Sequence, residues 1–138
     1  MSIVWDTKIA VILRSDLAGW QRANVTAFGI AGITAAHPEI VGEPYVDKEG
    51  STSLPLLQQP VFVFEASPEK LQTITDRARR RDVSLALYPE TIFATNNDAD
   101  NRATIVDMPT SEITVAGIAI RGDSKEVDRV IKGASRHP

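Results

Sequence analysis

The chain has 138 residues, no cysteine and a formal net charge of −3. A domain of this length buries one core without staples, and the missing cysteine excludes a disulfide scaffold, thiolate chemistry and cysteine-ligated metal. Hydrophobic residues at 43% and charged residues at 24% exclude wholesale disorder, and the acidic balance argues against a general nucleic-acid or anionic-membrane binder.

The first apolar run, Ile9–Leu13, lies between Lys8 and Arg14. It is too short for a signal peptide, and no run approaches the roughly 20 apolar residues that span a bilayer. The expectation is a cytoplasmic protein with no membrane contact. Lys8–Leu13 reads as a buried strand. Asp16 and Gly19 punctuate the chain, and Trp20–Ala36 reads as a helix stopped by His37-Pro38. Ala23, Ala27, Ala31 and Ala35 recur every four residues, with Gly29 and Gly32 beside them. A helix that tolerates two glycines implies close approach to a sheet or another helix.

Residues 38–60 hold Gly42, Pro44, Gly50, Pro55 and Pro60 and read as an irregular hairpin excursion turning near Glu49-Gly50. Val61–Phe64 is the second strand. Ser67-Pro68 opens a helix running to about Arg81, with Leu71, Ile74 and Ala78 facing inward. Arg77, Arg79, Arg80 and Arg81 suit the end of that helix better than a phosphate site. Val83–Tyr88 is the third strand, Pro89–Thr95 a short turn and Asn96–Asn101 a polar loop. Ile113–Ile120 is the fourth and most apolar strand. Asp123 and Glu126 cap a last helix, Ser124–Lys132, which Gly133 ends. The whole reads as one α/β domain, 1–138: a four-stranded mixed, mainly parallel sheet with helices on both faces.

No phosphate-binding loop, dinucleotide fingerprint or nucleophile elbow is present. His37 and His137 are the only histidines, so a serine–histidine relay or a multi-histidine metal site is not expected, nor any cofactor. The candidates are positional, at strand ends. Asp16 and Glu90 form a catalytic acid–base pair if their strands bring them together. Trp20, Asn24, Tyr45 and Arg102 are candidate ligand-binding residues: aromatic walls, an amide and a carboxylate or phosphate clamp.

Lys8-Ile-Ala-Val-Ile-Leu-Arg14-Ser-Asp16-Leu17 before an alanine-rich helix resembles the opening of type-2 peptidyl-tRNA hydrolases. Gln59-Pro60-Val61-Phe-Val-Phe and the closing Ile113–Gly133 segment resemble their later elements. The string Trp20-Gln21-x-x-Asn24-Val25-Thr26-Ala27-Phe28, with Gly42-Glu43-Pro44-Tyr45, Asn101-Arg102-Ala103 and Lys132-Gly133-Ala134, is closer to an uncharacterised bacterial domain family grouped with that fold. The resemblance implies the same mixed sheet. It departs at the hydrolase lysine, where Gln21–Asn24 stand, and only Asp16 matches directly. Three readings follow. The first is an oligomer-forming or interaction domain, a dimer favoured, joined through the excursion. The second is a small-molecule or hydrolytic site at the strand-one/helix-one cleft using Asp16, Asn24 and Glu90. The third is residual peptidyl-tRNA hydrolysis, against which the net charge and the missing lysine both argue.

Overall fold

The computed structural model describes residues 3–138. Strand β1 (Thr7–Arg14) is followed by helix α1 (Gly19–Ala36) and a short hairpin, β2 (Tyr45–Val46) with β3 (Thr52–Ser53). Then come β4 (Val61–Ala66), α2 (Pro68–Arg79), β5 (Val83–Pro89), α3 (Asp98–Ala103), β6 (Val115–Asp123), α4 (Ser124–Val130) and β7 (Ser135–Arg136). Among the described residues no helix is long and apolar enough to cross a membrane.

The main sheet has five strands in the order β5-β6-β1-β4-β7. Only β1 and β4 pair in parallel; β6 is antiparallel to both β1 and β5, and β7 is antiparallel to β4. The expected four-stranded, mainly parallel sheet is therefore corrected on two counts. β6 enters from the long 90–114 connection instead of a helical crossover, so it runs against its neighbours and wedges between β1 and β5. β7 has only two residues, too few to show a strand pattern; Arg136 lies over the rings of Phe62 and Phe64, 5.2 and 5.9 Å from their centroids. Asn96–Asn101 is also corrected. Asn97 accepts the Asp100 amide and opens α3, with Asp98 and Asp100 in the first turn, where the helix dipole favours acids.

Helices cover both faces. Ile9, Val11 and Leu13 of β1 face α1, while Ala10 and Ile12 face α2 and α4, as strand alternation requires. On the first face the seam is made of small residues. A Cβ added to Gly29 would lie 2.8 Å from Ala119 Cβ, and one on Gly32 would lie 3.3 Å from Ala86 Cβ. The glycines thus meet the sheet, whereas Ala23, Ala27, Ala31 and Ala35 lie on the exposed side of α1. The arginine cluster is structural. Arg77 donates to the carbonyls of Arg129, Val130 and Lys132 and so closes the end of α4, while Arg79 and Arg81 pair with Asp76 and Glu126. In the hairpin, Asp47 accepts the amides of Glu49 and Ser51 around Gly50, whose φ of +86° few other residues adopt.

Candidate functional site

β1, β4 and β5 run in one direction, so their carboxyl ends share one edge of the sheet. Arg14 ends β1 with only 10% of its side chain exposed. Its Nε donates to Asp16 Oδ1 at 2.6 Å and its Nη2 to Glu90 Oε1 at 2.8 Å. Burial opposes the guanidinium's charge, but the hydrogen bonds to Glu90 and then Asp16 outweigh it and raise its pKa above the ordinary arginine value. Asp16 and Glu90 therefore converge, but on a cation between them. The two carboxylates share this one guanidinium, which binds each of them directly. Beside them, Arg22 donates to Glu65 at 2.8 Å and to the carbonyls of Leu17 and Ser15, fastening α1 to the same strand ends.

A cavity of about 360 Å³ lies next to this hub, between α1, β5–β6 and α3. Val25, Phe28 and Gly29 line it from α1, Ala86 and Tyr88 from β5, Ala119 from β6, and Ile92, Asn101 and Ile105 from the long connection. Ala86, Gly117 and Ala119 leave room on the sheet side beside the larger Tyr88. Aromatic rings continue from its wall in a chain: Phe28 meets Tyr88 edge-on at 5.6 Å, Tyr88 meets Phe93 at 5.0 Å, and Phe93 meets Trp20 at 5.8 Å. Two polar groups stand in the lining with spare capacity. Tyr88 is 8% exposed and its hydroxyl makes no hydrogen bond among the described residues; burial pushes its pKa up. Asn101 touches the Thr95 hydroxyl with one end of its amide and has no protein partner at the other.

A second polar group sits at the far end of β5. His37 ends α1, with Nε2 2.7 Å from Ser84 Oγ and Nδ1 3.2 Å from Arg121 Nη1. Arginine can only donate, so Nδ1 accepts and the neutral ring carries its proton on Nε2. That tautomer donates to Ser84 and does not draw its proton away. The ring ties α1 to β5 and β6 and makes no nucleophile. Among the described residues no three histidine, aspartate or glutamate side chains gather as a metal site.

The structure separates the four candidate ligand-binding residues. Arg102 lines the cavity, paired with Asp98 at 2.7 Å and exposed at its rim. Trp20 only extends the aromatic chain, and the exposed Asn24 side chain makes no hydrogen bond among the described residues. Tyr45 projects from the hairpin, half exposed, over a separate shallow depression with Pro44 and Leu56. Gln21 is a cap, its Oε1 accepting the Ala18 amide at 2.9 Å. Tyr88 and Ile105 escaped sequence reasoning because they look like ordinary core residues. Asn101 stood beside Arg102 in a segment read as loop.

This cavity and hub belong to a small α/β domain whose matches carry no assigned activity. A family model, DUF2000, a protein family of unknown function, matches residues 7–138, and the chain belongs to that family. The chain is also similar to a solved structure, the protein of unknown function Atu0240 from Agrobacterium tumefaciens strain C58. Identity is 47% and the TM-score 0.94, over 98% of this chain and 100% of that one. No curated protein matches.

Tyr88 gives the site a measurable pH signature. Its stabilising effect is intact below about pH 10, the unfolded tyrosine value, and is lost as the pH climbs towards the higher folded value. Near-ultraviolet titration of the native protein is expected to show a phenolate that forms later than free tyrosine's and is missing from Tyr88→Phe. A Tyr88→Phe titration superimposable on the wild type contradicts the burial of this hydroxyl.

Proposed function

We propose that this protein binds a small, largely apolar molecule in the cavity between α1, β5–β6 and α3, in the cytoplasm. The supporting observation is the cavity itself. Its 360 Å³ falls within the range of ligand sites, and apolar walls surround two polar groups without full partners. Asp16 and Glu90, tied to Arg14, are assigned to holding the strand ends and not to proton transfer. The reading includes kinship of fold with the type-2 peptidyl-tRNA hydrolases, supported by the order of β1, α1, β4, α2, β5, β6 and α4. It does not include peptidyl-tRNA cleavage, because Gln21–Asn24 stand at the place of the hydrolase lysine. A thermal-shift screen of uncharged metabolites tests it. Stabilising compounds are expected for the wild type and for Asp16→Asn, but not for Ile105→Trp, which fills the cavity. Hits that survive Ile105→Trp overturn the assignment.

A second surface favours self-association as well. No charged residue occurs between Ala23 and Ala36. Trp20 and Phe28 on α1, and Tyr45, Val46, Leu54 and Leu56 around the hairpin, are all more than half exposed. A helix apolar on all sides is ordinarily covered on all sides, and apolar patches of this kind mark interfaces. A homodimer is the proposed consequence. Sedimentation velocity is expected to show the mass of two chains as concentration rises, shifted towards one chain by Ala27→Glu. A single chain at every concentration contradicts it.

A further inference from the structure

The size, walls and charge of the cavity narrow the chemistry of its guest, if the binding reading above holds. A dry cavity of roughly 150 Å³ holds one benzene ring. At 360 Å³ the space suits two fused rings. Phe28 and Tyr88, edge-on at 66°, offer the offset and edge contacts that aromatic guests favour. The two charged residues in the lining cancel: Arg102 donates to Asp98 at 2.7 Å, and both side chains are more than three-quarters exposed. An ionised guest would lose hydration there without gaining a free counter-ion. What remains inside is neutral. The Tyr88 hydroxyl can donate or accept, and the Asn101 amide presents a donor or an acceptor according to its flip.

We infer that the cavity takes an uncharged, planar, two-ring aromatic molecule bearing a neutral hydrogen-bonding edge, of the lactam or carboxamide type. The Tyr88 hydroxyl and the Asn101 side chain read that polar edge, while Phe28, Val25, Ile92 and Ile105 enclose the rings. Discrimination comes from hydrogen bonding, since a guest without the edge covers these two polar groups without pairing them.

Three probes of nearly equal shape test this: naphthalene, quinolinone (a lactam) and naphthoate (an anion), titrated by ligand-observed NMR into the wild type, Asn101→Ala and Ile105→Trp. Quinolinone is expected to bind at least about tenfold more tightly than naphthalene, since each of two hydrogen bonds of ordinary net strength contributes up to about tenfold. Naphthoate should bind more weakly than either. Asn101→Ala should weaken quinolinone several-fold and leave naphthalene unchanged, which also shows that the variant is folded. Ile105→Trp should abolish all three. Naphthalene equal to quinolinone in the wild type, or naphthoate tightest, overturns the guest class but leaves cavity binding standing. No binding by any probe, or binding unaffected by Ile105→Trp, overturns both.

Discussion

The architecture depends on how closely α1 can lie on the sheet. Gly29 against Ala119 leaves no room for a further carbon and Gly32 against Ala86 leaves little, and a Cβ on Gly117 would meet Val25 Cγ1 at 2.5 Å. Close-packed interiors do not yield easily to such insertions. The seam fixes the height of α1 over β5 and β6. Larger residues meet beyond it, with Phe28 edge-on to Tyr88. The small residues that permit the close approach also line the cavity beside it, where α3 and Ile92 form the outer wall.

Electrostatics then sorts the neighbourhood. Arg14 engages Asp16 and Glu90, Arg22 engages Glu65, and Arg102 engages Asp98. The charged groups around the strand ends are thus engaged with one another. The half-exposed carboxylates of Asp16 and Glu90 gain from a largely buried cation that could not remain there unpaired. An amide and a phenol are left to face the cavity. This division separates a structural hub, made of charges, from a recognition surface, made of neutral groups.

Much of this was legible in the sequence, and the failures have physical causes. The Ser67-Pro68 start of α2, the stop at His37-Pro38 and the four longer strands follow from local chemistry, which caps, proline and apolar runs report directly. The glycines of α1 announced a close approach. The alanines beside them did not face the sheet, because a repeat of four residues says which positions share a face but not which way that face turns. The sheet order was not legible. The insertion of β6 between β1 and β5 is a long-range choice, made by burial on both faces, that no local pattern records. The convergence of Asp16 and Glu90 was conditional on where their strands fell; the arginine between them carried no signal, since Arg14 stood in the motif merely as a strand end. Tyr88 and Ile105 carry no signal until α3 folds over them.

The most direct measurement of the central constraint compares Gly29→Ala with Gly19→Ala by denaturant unfolding. Alanine is the better helix former by up to about 1 kcal/mol at either site. A Cβ at Gly19 meets nothing within 4 Å, whereas at Gly29 it collides with Ala119. Gly19→Ala should be neutral or stabilising. Gly29→Ala should be destabilising by about 1–2 kcal/mol in spite of its propensity. If Gly29→Ala stabilises the protein as Gly19→Ala does, α1 does not rest on the small-residue seam, and the account of the cavity beside it fails.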